Sequence, residues 1–511
     1  MGYEKIQIKI QTDYTDDDIR FSIFKQLGFK DFSFQIEKKS LDARKKSDPH
    51  WLLSLIVSSD QIQSDTYVAP GTFEIPYKKR LEKVIVIGSG PAGFFSAHIL
   101  QKAGFHVTMI ERGAEVKKRT KAIKQLENRG EFSLQNNYSF GEGGAGTFSD
   151  GKLTSRSKRI SKERSFILSE YVKAGAPEEI LYMNHPHLGT DNLKVIVPAL
   201  RQEFLKNGGI CLFETQLEDI VVNGNQVQKI VSNTGELEAD YFVLATGHSA
   251  YDTYRMLIEK GVQFRTKNFA IGHRIEHEQK LINMAQWGCE SLPGVKASEY
   301  RLTYKTKSNL PVYTFCLCPG GTVVQSAAYA KKSNVNGMSY YNRAGNFSNA
   351  GCVVGVHPDM LLGHKCSPLE ILDWMDKLEE KFYASSDGYA LPANKAFNYM
   401  KKQPSKKIPK GSYPLGLRSA LLFDMVPEMV GNAIIEGLQS FSKKIKGFEQ
   451  GVLMGLENKT SSPLQVAREK DCRCNGFDNL YFVGEGSGYA GGIISSAADG
   501  IRCAMALIGS E

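Results

Sequence analysis

Lys83–Gly93, KVIVIGSGPAG, decides the fold, and Val107–Arg112, VTMIER, answers it further along the chain. An apolar run breaks into Gly88, Ser89, Gly90, Pro91, Ala92 and Gly93. A helical pattern then carries the chain to Gly104, and a second apolar run ends on Glu111 with Arg112 behind it. Gly88 permits a tight turn, Gly90 lets the backbone approach a pyrophosphate, and Gly93 lets helix and strand pack closely. The helix start offers unpaired N–H groups and the positive end of its dipole to phosphate. Glu111 is placed to accept hydrogen bonds from a ribose diol. A glycine-rich turn by itself does not require that acid; strand, turn, helix and acid together predict a dinucleotide site.

Which dinucleotide is indicated near the other end. Asn479–Gly492 reads NLYFVGEGSGYAGG and runs on into IISSAADGIRCAMALI. A short buried strand ends at Gly484-Glu485, and Gly491 and Gly492 open a small-residue helix at Ile493. This return segment, with Tyr241–Gly247 (YFVLATG), resembles the flavoproteins of the glutathione-reductase superfamily. There a late strand, glycine and acid contact the ribityl chain, and the next helix aims its N-terminus at the flavin pyrimidine, where a reduced flavin carries negative charge. The resemblance implies FAD, with Gly247, Gly484, Glu485, Gly491, Gly492 and Ile493 among its contacts. The superfamily has Asp where this chain has Glu485.

A second glycine loop, Ser139–Leu153, reads SFGEGGAGTFSDGKL. Glycines this dense suit a backbone folded against a planar cofactor, although a flexible linker uses them too. The cofactor reading makes Gly143, Gly144, Ala145, Gly146 and Thr147 backbone donors, with Lys152 and Leu153 beside them.

Taken together, GSGPAG, SFGEGGAGTFSDGKL, HPHLGTDNL (His185–Leu193), IGHRIEH (Ile271–His277), FCLCPGG (Phe315–Gly321), NGMS (Asn336–Ser339), TSSP (Thr460–Pro463) and GEGSGYAGGI carry a resemblance over nearly the whole chain. It is to the bacterial FAD-dependent, or NAD(FAD)-utilising, dehydrogenases. The chain departs from that pattern before TSSP, with Asn458 and Lys459 where a Thr and an Arg are expected; Lys offers an anion only a point charge. The resemblance implies bound FAD and redox chemistry and names no substrate.

The expected fold class is α/β: a Rossmann-like FAD-binding domain with an inserted α+β substrate domain and a small N-terminal α+β domain. The corresponding ranges are 1–80 (N-terminal), 81–265 (FAD, first part), 266–440 (insert) and 441–511 (FAD return). In the first, Ile6–Ile10 reads as a strand, Thr15 as a cap, Ile19–Leu27 as a helix stopped by Gly28, and Phe32–Lys38 and Trp51–Ser58 as strands. Lys194–Asn207 reads as an amphipathic helix. Ile210–Glu214, Leu217–Val222 and Val227–Ser232 read as a small β-meander. No second GxGxxG unit follows a strand, so NADH or NADPH, where used, docks transiently over the flavin.

The chain of 511 residues is 41% hydrophobic, enough for several domains. It has no apolar run of membrane-spanning length, so no membrane partner is expected. Its start, MGYEKIQIKI, reads as neither signal nor transit peptide. Nine scattered cysteines point to reduced thiols and a cytoplasmic location. Cys472-Arg-Cys474 and Cys316-Leu-Cys318 lack zinc-site spacing, so no metal is expected. Net charge is +9. The basic runs Lys117–Arg119, Arg156–Arg164 and Lys401–Lys410 come with no RNA-binding motif and read as solvated faces, so nucleic acid is not an expected partner. Composition leaves the oligomeric state open.

These features predict an FAD-dependent oxidoreductase moving hydride between flavin N5 and a small molecule. A flavin-dependent RNA-modifying enzyme and a protein with structural FAD are the alternatives. Candidate catalytic residues are His273, Arg274 and Glu276, where the chain leaves the FAD domain, and Cys318, at the end of a strand before Pro319-Gly320-Gly321. His273 and Glu276 are suited to proton exchange and Arg274 to an anionic group. Equally, Arg274 and Glu276 can pair on a strand, and Cys318 can be a buried strand thiol.

Overall fold

The computed structural model describes residues 1–67, 73–155, 157–408 and 410–509. Arg156 and Pro409, inside two of the basic runs, lie outside the described residues.

Lys83–Ile87 is apolar at every position after its first, and four of its five residues are buried, as a strand covered on both faces must be. It sits at the centre of a five-stranded parallel sheet in the order Leu480–Phe482, Tyr241–Leu244, Lys83–Ile87, His106–Glu111, Ile210–Phe213. The chain first builds outward on one side of this centre, then returns to build on the other. The point of reversal lies between Lys83–Ile87 and Tyr241–Leu244, and a crevice beyond the carboxyl ends of those strands is where such sheets bind ligands. The helix Pro91–Lys102 leaves the first of these ends, and Ile493–Gly509 packs on it so closely that a Cβ on Gly500 would lie 2.2 Å from the Ala92 carbonyl oxygen.

The meander differs from the sequence expectation. Ile210–Phe213 pairs in parallel with His106–Glu111 as the fifth strand of the main sheet. Glu214, at φ +55°, turns the chain out of that strand, and the meander is formed by Leu217–Asn223, Gln226–Ser232 and Gly235–Glu238. The amphipathic helix also starts sooner, at Gly189, and runs to Lys206.

A second, seven-stranded sheet faces the first. Its order is Thr303–Lys305, Pro311–Cys318, Phe347–Val356, Phe269–Glu278, Val452–Glu457, Leu391–Lys395, Leu417–Ser419. The sixth and seventh strands are parallel to each other and the remaining pairs are antiparallel. Val452–Glu457 lies beyond the expected insert limit at residue 440 yet is central here. One apolar core joins Ile85, Ile110, Phe242 and Phe482 of the parallel sheet to Ile271, Ile275 and Leu453 of the second sheet and to the helices Pro368–Ala384 and Glu428–Lys444.

The N-terminal segment is a β-α-β-β unit with Gly2–Ile10 and Ser33–Asp42 flanking His50–Ser59. Thr15 and Asp18 form a reciprocal cap on the helix Asp16–Leu27, and Gly28 ends it at φ +82°. Ile19 and Ile23 close its core against Leu53 and Leu55. Among the described residues no helix is long and apolar enough to cross a membrane.

Candidate functional site

A cleft of about 1480 Å³ opens at the reversal point and continues between the two sheets. One end is built by the two glycine segments. Gly88, at φ +109°, turns beneath Ala245, whose carbonyl oxygen a Cβ would meet at 2.4 Å. A Cβ on Gly93 would fall 1.9 Å from the Gly88 oxygen, so helix and turn pack as the motif requires. Across the cleft Gly144, at φ +64°, brings its backbone to Gly90: a Cβ there would stand 3.1 Å from the Gly90 Cα. No side chain caps the first turn of Pro91–Lys102, leaving its N–H groups to a ligand.

Of the residues expected to hold a cofactor, Gly88, Gly90, Pro91, Ala92, Glu111, Arg112, Gly144, Ala145, Gly146, Lys152, Gly247, Gly484, Glu485, Gly492 and Ile493 line this one cleft. Gly491 adjoins Glu485. Ser89, Gly143 and Thr147 instead line a smaller apolar pocket behind the turn, with Phe94 and Leu193. Leu153 is buried, its N–H donating to the Pro186 carbonyl.

Glu111 lines the cleft and is itself fully engaged by the protein. Its carboxylate accepts from Ser89 N–H (2.9 Å), Ser89 Oγ–H (2.8 Å), Gly113 N–H (3.0 Å) and Gly141 N–H (3.1 Å). It ties the first glycine turn to the second. Arg112 is held by Asp252 (2.9 Å) and lies 4.2 Å over the Phe140 ring, a flat cation on the cleft wall.

Sequence reasoning missed Arg119, which it left in a solvated basic run. The side chain is fully buried, and its guanidinium donates to five carbonyls: Asn137 (2.9 Å) and Tyr138 (3.1 Å) just before the second glycine segment, and Gly141 (3.2 Å), Glu142 (2.9 Å) and Gly144 (2.7 Å) within it. Burial lowers its pKa to about 10, so it remains a cation at neutral pH. The one available signal was its phase: Val116, Arg119, Ile123 and Leu126 share the buried stripe of the helix Val116–Arg129.

The other end of the cleft is walled by Phe315 and Cys316 of the second sheet, by Asn336 of the two-stranded sheet Thr322–Gln325 and Val335–Met338, and by Lys459 and Thr460 just past Val452–Glu457, opposite Asp150–Lys152 and Glu485. Asp150 is buried and forked by Arg343 (3.1 and 2.7 Å), with Ser339 Oγ and the Lys152 ammonium (2.7 Å) also on it. Burial pushes its pKa up, but Arg343 and Lys152 outweigh that and hold it below the ordinary carboxylate range. Asp150 in turn keeps Lys152 protonated despite the latter's burial.

The four candidate catalytic residues are not brought together. Phe269–Glu278 is a central strand, buried at every residue but its last, so alternate side chains leave by opposite faces. His273 faces Phe382 and Tyr399, its Nδ1 bonded to the Gly455 carbonyl (2.8 Å), and burial lowers its pKa to about 4. Glu276 accepts from the Ser412 N–H and hydroxyl. Neither reaches the cleft. Arg274 is wholly buried and pairs with Glu457 (3.0 Å) rather than Glu276. It lies behind the wall, donating to Asn349 Oδ1 (2.9 Å), the Cys316 carbonyl (2.6 Å) and Cys318 Sγ (3.3 Å). Gly337 and Gly351 make room for this pair: a Cβ on either would strike Arg274 or Glu457. Cys318 is fully buried, and the thiol on the cleft is Cys316.

A cleft with paired glycine turns, an uncapped helix start and a wall from a second sheet defines a dinucleotide-binding flavoprotein. The comparisons agree. Residues 82–129 match the family "FAD binding domain", and 268–460 match "FAD-dependent protein, C-terminal domain-like". An uncharacterized protein of Clostridium beijerinckii is 39% identical, with 96% of each chain covered. The chain belongs to the family of that protein, and its cofactor is FAD. Solved structures with a looser likeness include a flavoprotein/dehydrogenase from Cytophaga hutchinsonii (13% identity, TM-score 0.37, 84% of this chain and 79% of that one) and L-proline dehydrogenase from P. horikoshii (12%, TM-score 0.33, 85% and 95%). At that distance neither bears on the reaction.

Proposed function

We propose that this protein is an FAD-dependent oxidoreductase acting on a small anionic molecule, with NADH or NADPH docking transiently as hydride donor. The observation that carries the reading is the continuity of the cleft. The FAD-holding turns occupy one end, and the other end, between the sheets, presents a fixed cation, Lys152, and a thiol, Cys316. Bound flavin supplies two-electron hydride chemistry at N5.

The residues of the chain do the rest. Gly90, Gly144 and the start of Pro91–Lys102 receive the pyrophosphate. Arg112 and Phe140 flank the adenosine, while Glu485 and the start of Ile493–Gly509 face the ring end. Lys152, held by Asp150 and by the Leu317 carbonyl, keeps one ammonium N–H for a carboxylate or phosphate on the substrate. Burial between the sheets strengthens that attraction over its value in water.

The test is anaerobic reduction of the holoenzyme by NADH and NADPH, then a reoxidation screen of carboxylates and phosphate esters against neutral analogues. Lys152→Gln is expected to keep its FAD and lose at least about tenfold in kcat/KM for the anionic substrate, roughly 1.4 kcal/mol. Equal turnover of the neutral analogue, or an unchanged kcat/KM in the variant, refutes the anionic assignment.

A further inference from the structure

The thiol that faces the cleft has no part in holding FAD or an anionic substrate. Cys316 lies in the strand Pro311–Cys318, where the ladder to Phe347–Val356 slips: Phe315 pairs with Gly351, but Cys318 pairs with Asn349. The extra residue is a β-bulge, a device that re-aims a side chain. Cys316 takes φ +44°, rare for a residue with a Cβ, and its side chain lines the cleft while Cys318 is buried behind it. The Cys318 thiol donates to the Cys316 carbonyl oxygen (3.4 Å), which puts the second sulfur beside the backbone of the first. Arg274 donates to both residues, at Cys316 O and Cys318 Sγ, and the Lys152 ammonium is fixed on the Leu317 carbonyl between them.

We propose that Cys316 and Cys318 are a reversible dithiol–disulfide pair that exchanges two electrons with the flavin in the same cleft. The inference rests on FAD occupying the cleft and is independent of which small molecule is the substrate. Residues two apart on a strand stand about 6.5 Å apart at Cα, inside the span that a disulfide bridges, and the Cys318 sulfur already lies against the Cys316 backbone. In the reductive direction two electrons and two protons leave the reduced flavin. The Sγ–Sγ bond breaks, each sulfur ends as a thiol, and the flavin returns to its oxidised form; the reverse closes the bond. The neighbouring Cys318 thiol, then Lys152 and Arg274, draw the Cys316 thiol toward its thiolate against the effect of burial, which makes it the sulfur that attacks and leaves. Arg274 and Lys152 are positioning residues for the pair.

The experiment is an anaerobic reductive titration of the holoenzyme after treatment with oxidised glutathione and its removal. The expected uptake is four electrons per FAD in the native protein, two for the flavin and two for the pair. Cys316→Ser and Cys318→Ala should each take up two while retaining FAD, and Cys366→Ala should still take up four. In FAD-free protein treated the same way, the peptide carrying both cysteines should be lighter by two hydrogens and resist alkylation until reduced. If only one variant folds, it decides the question together with the peptide mass. Uptake of two electrons by the native protein, or a peptide carrying both cysteines that keeps its two hydrogens after oxidation, overturns the pair. Failure of the protein to bind FAD at all would instead overturn the cleft assignment, and the peptide mass tells the two apart.

Discussion

Arg119→Met tests whether the second glycine segment is held in place by one buried cation. Methionine keeps most of the apolar volume and the helix propensity. It leaves five carbonyls, at 2.7–3.2 Å from the lost guanidinium, without their donor. A buried group stripped of its partner costs about 1–3 kcal/mol. Water can reach some of the five, because the cleft is adjacent, so the working figure is two stranded carbonyls at about 1.5 kcal/mol each. The chain avoids that cost of about 3 kcal/mol by opening Ser139–Leu153. The FAD-competent loop then falls to below about 1% of molecules, and the apparent Kd rises about 150-fold. The assay is titration of FAD-free protein with FAD, read by flavin fluorescence, with limited proteolysis as a monitor of the loop. Lys117→Ala, on an exposed residue of the same helix, is the control and should match the native protein. An Arg119→Met protein that binds FAD within threefold of native, with no new cleavage in the loop, refutes the reasoning.

Three further outcomes follow from the geometry. Gly144→Val forces a β-branched residue to φ +64° with its Cβ 3.1 Å from the Gly90 Cα; backbone strain of roughly 1–2 kcal/mol adds to methyls in the pyrophosphate's place, so FAD should be lost while far-UV circular dichroism is kept, and normal FAD content would show the loop to be a linker. Arg274→Ala leaves Glu457 buried without its cation, and denaturant unfolding should show a loss of about 3–5 kcal/mol; a loss under about 1 kcal/mol would contradict the buried pair. His273 and His277 are each lowered by burial to about 4, so the unfolded chain binds protons that the folded one refuses between about pH 6.5 and 4; stability should fall with pH through that window by about 1.4 kcal/mol per unit for each, and His273→Asn should reduce the slope measured by urea unfolding at successive pH values.

The parallel sheet was legible because its signals are local. Gly93 is demanded by the Gly88 carbonyl five residues before it, and Glu111 ends the next strand in sequence; the distant Ala245 that crowds Gly88 adds to a motif already complete in that window. The return at Gly484–Ile493 was legible for the same reason. Ile210–Phe213 was misplaced because a four-residue apolar run looks alike in a meander and in a parallel edge, and only its partner, His106–Glu111, settles which. Val452–Glu457 belongs to the second sheet through pairing with a strand nearly two hundred residues earlier, which no window of sequence displays.

The candidate active site failed at a particular step. His273, Arg274 and Glu276 were chosen for their chemistry, on the expectation that a strand leaving one domain borders a pocket. The strand instead became the middle of a seven-stranded sheet, and a central strand buries both faces. Its polar groups must then find partners inside the protein, as His273 does on Gly455 and Arg274 on Glu457. The residue that reaches the cleft is two strands away in the same sheet, where the ladder of Pro311–Cys318 is broken by one extra residue. A bulge has no composition of its own, so Cys316 and Cys318 read alike in sequence. What separates them is a positive φ at the first and an intact pairing at the second, and that difference decides which sulfur the flavin cleft contains.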